Sequence, residues 1–100
     1  MKEITCFDDL VFEIHPMAGR GSVQAMHELP NGIVISVVGG FPSERHTRLN
    51  GDGVHTFEVA AWRKEEEKDY WLDLSKDGRL ILTWQNREQI TEVIQKLLKM

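Results

Sequence analysis

Four histidines, a lone cysteine and a small basic cluster are the side chains of this sequence best equipped for chemistry. The histidines are His15, His27, His46 and His55. Histidine ligates metals and moves protons near neutral pH. A metal site, however, needs ligands at a spacing that one helix or turn can present together. No pair here stands in His-x3-His or His-Glu-x-x-His spacing, and the single Cys6 cannot build a thiolate site. The histidines are therefore not read as a metal centre, and no cofactor is expected. Nor does any Ser-His-Asp, Cys-His or paired-carboxylate arrangement stand at a diagnostic spacing, so no catalytic residue is assigned. Arg45, His46 and Arg48 cluster in sequence just after Phe41, a set that would suit an acidic partner or a phosphate.

Two fragments imitate ligand loops. Gly19-Arg20-Gly21-Ser22 has the flavour of a phosphate cradle, but a cradle must open a helix so that N–H groups aim at the anion. Here a strand follows. Asn50-Gly51-Asp52-Gly53 resembles the start of a calcium loop, yet it runs into Val54-His55-Thr56-Phe57 without the closing glutamate. Both are read as turn chemistry.

The elements that would position these groups are mostly strands. Ser22 to Leu29 and Ile33 to Val38 flank Pro30-Asn31-Gly32, a hairpin signature. A three-residue loop with Gly32 left-handed puts Leu29 opposite Ile33, His27 opposite Ile35 and Ala25 opposite Val37. Val23, Ala25, Leu29, Ile33, Ile35 and Val37 then share one buried face, with His27 a structural histidine among them. A two-residue Asn31-Gly32 loop would mix the faces.

Before this hairpin, 10–15 reads as a strand with Leu10, Phe12 and Ile14 on one side. After it, 39–53 follows no helical or strand period, and loops of that length are often functional. The stretch 54–62 reads as a strand with His55, Phe57, Val59 and Ala61 on one face. The charge run 63–69 is a solvated turn. A second hairpin is expected around Lys76-Asp77-Gly78, pairing Leu74 with Leu80, Leu72 with Leu82 and Tyr70 with Trp84. The last element is a helix. Asn86 and Gln89 form a capping-box pair, and Ile90, Val93, Ile94, Leu97 and Leu98 make one apolar stripe. Strands first and helix last predict an α+β fold: an antiparallel sheet of five or six strands, in hairpins or a meander, with one C-terminal helix packed on a face.

One helix covers one face. Trp71, with Trp62 or Ile81 nearby, falls on the other, where it is either an exposed interaction patch or covered by loops. Trp84 is expected with the leucines on the covered side.

The 100 residues make one domain, 1–100, and the net charge of −4 offers no general pull toward nucleic acid or anionic membrane. Nucleic-acid binding through Arg20, Arg45 and Arg48 is a weak third reading. One cysteine excludes an intramolecular disulfide, and no apolar run reaches membrane-helix length. Met1-Lys2-Glu3-Ile4-Thr5 lacks the apolar stretch of a signal peptide, so a cytoplasmic protein is expected.

Several segments resemble small uncharacterised proteins of tailed phages and prophages. They are His15-Pro16-Met17, Gly21-Ser22-Val23-Gln24-Ala25, Asn31-Gly32, Ile35-Ser36-Val37-Val38-Gly39 and Phe57-Glu58-Val59-Ala60, ahead of the C-terminal helix. The likeness spans roughly residues 10–98 and carries no assigned activity, so no site residue follows from it. It implies a phage or prophage accessory protein working in a bacterial cytoplasm.

The expectation is thus a non-enzymatic protein acting through protein–protein contact. The partner would be a host or phage protein or a second copy in a homodimer. The contact residues would be Trp62, Trp71, Ile81, Phe41, Arg45, His46 and Arg48. The alternative is a small enzyme or ligand-binding protein using His46, His55 and Arg48 around the loop 40–53.

Overall fold

The computed structural model of the protein describes residues 4–15, 19–40, 51–64, 69–74 and 78–100. Among these residues six strands form one antiparallel sheet: β1 (Glu13–His15), β2 (Gly19–Glu28), β3 (Ile33–Gly40), β4 (Thr56–Lys64), β5 (Asp69–Trp71) and β6 (Ile81–Asn86). One helix, α1 (Arg87–Leu98), follows β6 directly. This is the α+β architecture expected.

The β2–β3 hairpin forms in the predicted register, with His27 opposite Ile35 and Ala25 opposite Val37. The Leu29 N–H donates to Ile33 O at 2.7 Å and the Gly32 N–H to Leu29 O at 3.0 Å, which closes the loop over Pro30-Asn31-Gly32. Gly32 sits at φ 84, where a side chain would be strained.

The capping box of α1 is complete. The Gln89 N–H donates to Asn86 Oδ1, and the Asn86 N–H donates to Gln89 Oε1, both at 2.8 Å. Ile90, Ile94 and Leu97 are buried against Ala25, Leu29, Ile33, Ile35, Val37, Phe57, Val59 and Ala61 of the sheet. Each such aliphatic side chain contributes roughly 1.5–3 kcal/mol. These side chains hold α1 on the inner face.

A 3₁₀ turn, Phe7–Asp9, completes that layer. No helical or strand period announced it. Its Phe7 N–H donates to Thr91 Oγ1 at 3.0 Å, and the Phe7 ring lies 5.6 Å from Phe12 and 5.2 Å from Phe57.

Three expected strands are corrected. The first is shorter than 10–15: Leu10 is buried and Phe12 packs on the core, but Ile14 is 64% exposed at the sheet edge. The stretch 54–62 starts two residues late, at Thr56, because the N–H groups of Val54 and His55 are held by Asp52 in a turn. The second hairpin does not form as a strand pair. Instead β5 and β6 both pair with β4, Trp62 facing Trp71 and Ala60 facing Ile81. The Leu72 N–H extends the first ladder to Ala61 O at 2.9 Å; the chain then makes an excursion, where the Leu74 N–H donates to Arg79 O at 2.8 Å. The reason is the demand of β4. With β3 on one edge, a hairpin of 70–84 would leave most of the other edge without hydrogen-bond partners.

Candidate functional site

The sheet has two faces, and every described helical element lies on the inner one. Register alone assigns the residues of the outer face. Met26 faces Ser36, Ser36 faces Ala60, and Ala60 faces Ile81, so one row crosses four strands. The next row runs Glu28, Val34, Trp62 and Trp71, and the row on the other side runs Gln24, Val38 and Glu58. Val34 and Ala60 at the centre are buried, whereas Met26 is 51% and Ile81 47% exposed. Trp62 is half-buried. The backbone positions of Trp62, Trp71 and Ile81 therefore fall in adjacent rows of the ladder.

Trp84 joins them against expectation. Val59 faces Leu82 and Phe57 faces Gln85, so Glu58 is opposed by both Thr83 and Trp84. Two residues against one is a β-bulge, which shifts the alternation by one position. Leu82 still packs on the core, but Trp84 leaves the inner side and is 55% exposed. Its backbone stands at φ 54, the sole non-glycine positive φ among the described residues. The left-handed region costs an L-residue roughly 1–2 kcal/mol. A bulky aromatic there is an outlier.

The loop expected to carry chemistry is known at its base. The Gly40 N–H donates to Gly51 O at 2.9 Å, so residues 40 and 51 close the stretch between them. Phe41, Arg45, His46 and Arg48 lie outside the described residues. Gly51 is wedged against β4: a Cβ there would sit 2.5 Å from the Phe57 Cα.

Asp52 organises the return into β4. Its Oδ1 accepts from the N–H groups of Val54 at 2.7 Å, His55 at 2.6 Å and Thr56 at 2.9 Å. The Thr56 N–H, then those of Val54 and His55, hold the Asp52 carboxyl well below the usual carboxylate range. The calcium-like spacing of Asn50-Gly51-Asp52-Gly53 is thus a turn in which the carboxylate serves the backbone. The same turn takes His55 off the strand, where it was expected beside Phe57. Its side chain is 81% exposed, with Nδ1 3.5 Å from Asp52 Oδ2.

His55, Asn86, Arg87 and Glu88 line one shallow depression beside the start of α1, and Cys6, Phe7, Asp8, Arg87, Glu88 and Thr91 line another. Arg87 and Glu88 line both. The Arg87 guanidinium donates to Val54 O from Nε at 3.2 Å and from a terminal nitrogen at 2.9 Å, and it lies 5.1 Å from the Phe7 ring centroid. It is an architectural tie between the turn, the 3₁₀ segment and the helix. Cys6 donates its thiol hydrogen to Asp9 Oδ2 at 3.5 Å. His27, half-buried on the inner face, accepts the Val11 N–H at Nε2, 3.1 Å away. The His15 backbone lies opposite Gly19 in the ladder with β2. Among the described residues no group of three or more His, Cys, Asp or Glu could hold a metal ion.

Met26, Val38 and Trp84 complete the outer face and were missed from sequence. Met26 and Val38 could have been read off the first hairpin, since its register already put them opposite the apolar face. Trp84 could not, because the bulge is invisible to period counting.

No family model, no curated protein and no solved structure matches the chain. No helix among the described residues is long and apolar enough to cross a membrane.

Proposed function

We propose that this is a non-enzymatic protein that binds another protein through the outer face of its sheet. The observation that carries this reading is Trp84, more than half exposed and held at a positive φ beside the row that ends in Ile81. Strained residues persist where the surrounding structure over-determines them, and they gather at functional sites. Exposed aromatic side chains are the usual anchors of protein interfaces. Met26, Trp62 and Ile81 add apolar surface around a centre, Val34 and Ala60, that is already out of water.

The likeness of several segments to phage and prophage proteins supports an accessory role, with a host or phage protein as the partner. A second copy of the chain is the other occupant.

The test compares the tagged wild type with Trp84→Asn and Ile81→Asp. Asparagine tolerates the left-handed region, so Trp84→Asn removes the indole and keeps the bulge. Sedimentation over a range of concentrations reports self-association, and capture from bacterial lysate reports other partners. The reading expects a specific complex, of either kind, that both substitutions abolish while the circular dichroism spectrum is retained. A complex indifferent to both substitutions would move the binding surface elsewhere.

A further inference from the structure

The turn of the first hairpin holds a second kind of chemistry. Asn31 and Gly32 form an Asn-Gly dipeptide, the sequence most open to spontaneous loss of the asparagine amide, because glycine leaves the following nitrogen unshielded. Asn31 is also the contact that ties the turn to the far end of the chain. Its Nδ2 donates to Leu97 O at 2.8 Å and to Met100 O at 3.3 Å. Its Oδ1 accepts the Ile33 N–H at 3.3 Å. Leu97 O also takes the Met100 N–H at 3.2 Å, so the Asn31 amide is a further donor to the C-terminal end of α1, supplied from another element.

We propose that Asn31-Gly32 is a one-way chemical latch, in which conversion of the Asn31 amide to a carboxylate frees the C-terminal end of α1 from the hairpin. The reaction is intramolecular. The Gly32 nitrogen gives up its proton to solvent and bonds to Asn31 Cγ; the Cγ–Nδ2 bond breaks and ammonia leaves. Water then opens the cyclic imide to an aspartyl or isoaspartyl residue.

The folded turn opposes each step. The Gly32 N–H is donated to Leu29 O at 3.0 Å, so the nucleophile is occupied. The carboxamide is bonded at both of its ends, which restrains its rotation toward the nucleophile. Conversion therefore proceeds from molecules in which the turn and the helix end have parted, and its rate follows that opening.

Reclosing is then disfavoured. A carboxylate has no hydrogen to donate, and it would face Leu97 O and Met100 O at the negative end of the helix. An isoaspartyl product also lengthens the backbone inside the turn. Leu29 and Leu97, each 2% exposed, lie at this seam and would be uncovered.

The test has two arms. Wild-type protein is incubated at mildly alkaline pH, folded and in denaturant, and conversion at Asn31 is followed by peptide mapping, which separates it from the other Asn-Gly pair at Asn50. Folded protein is expected to convert at Asn31 at least about tenfold more slowly than unfolded chain. In the second arm, Asn31→Asp and Asn31→Ala are compared by hydrogen exchange. Asn31→Asp is expected to speed exchange at the last turn of α1 roughly tenfold or more, and by more than Asn31→Ala, while β2 and β3 keep their protection. Equal conversion rates in folded and unfolded protein would overturn the gating. Unchanged exchange at the helix end, in Asn31→Asp or in the aged wild type, would overturn the latch.

Discussion

The two faces of β4 show how one strand serves opposite ends. Phe57, Val59 and Ala61 point inward and are essentially out of water, with the Phe57 ring 5.3 Å from Phe12 and 5.2 Å from Phe7. Glu58, Ala60 and Trp62 point outward, on the side of the sheet away from α1 and the 3₁₀ turn. The inner face is closed by α1 and the 3₁₀ turn. The outer face keeps Met26, Ile81 and Trp84 in contact with water. If the outer face is the binding surface proposed, stability belongs to one side of the sheet and recognition to the other, and substitutions should separate the two.

The largest effect is expected inside. Phe57→Ala should lower the unfolding free energy by about 3–5 kcal/mol, through lost burial and the cavity left between two neighbouring rings. Ile81→Ala, one register row away on the outer side, should change it by no more than about 0.5 kcal/mol. Urea denaturation of the pair measures the contrast directly. Similar losses at both positions would mean that the outer face is also part of the folding core. Next in size is Gly51→Ala. The new Cβ would meet the Cα and N of Phe57 at 2.5 and 2.6 Å, both backbone atoms that cannot swing aside. Overpacking of this kind costs roughly 1–3 kcal/mol. It would act on the inner face from outside it, by shifting the start of β4.

How far this division could be read beforehand depends on whether the signal was local. The first hairpin was legible because Pro30-Asn31-Gly32 sets the turn and both flanking strands alternate in phase with it. The helix was legible because Asn86 and Gln89 mark its start and Ile90, Ile94 and Leu97 recur at its period. What failed was non-local. Lys76-Asp77-Gly78 has good turn chemistry, but the open edge of β4 outcompeted the hairpin, and nothing in 70–84 reports that edge. The bulge at Thr83 and Trp84 then reversed the side on which Trp84 emerges. Asp52 took three N–H groups and moved the strand start past His55. Of the interaction residues expected, Trp62, Trp71 and Ile81 fall together in the ladder because they follow from strand parity. Phe41, Arg45, His46 and Arg48 belong to 41–50, outside the described residues.

Trp84 gives the sharper form of the comparison. If its conformation is kept for recognition, removing the indole should do little harm to the fold. Trp84→Asn loses some packing but relieves a left-handed backbone unsuited to a bulky residue, and the two effects oppose each other. Stability is expected to stay within about 1 kcal/mol of wild type in the same urea measurement, while partner capture is lost. A loss of several kcal/mol would make Trp84 a structural residue and remove the main support for the outer face as a binding surface.

The smallest effect concerns the turn that sets the phase of β4. Asp52 decides that Thr56 opens the strand and hence that Phe57, not Glu58, faces the core. Its carboxyl titrates well below the ordinary value because the Thr56, Val54 and His55 N–H groups favour the ionised form. An unfolded aspartate titrates near about 3.9. Above that pH the carboxylate is ionised in both states, and the turn's contribution to stability is fully present. As pH falls below about 4, the unfolded chain takes up a proton that the folded protein refuses, so the contribution is lost progressively toward the folded value. Asp52→Asn keeps an acceptor oxygen but cannot ionise. The substituted protein should be less stable than wild type near neutral pH, and the gap should narrow as pH drops below about 4. Urea midpoints measured across that range test it. A gap independent of pH would show that the shape of the turn, rather than the charge of Asp52, holds β4 in phase.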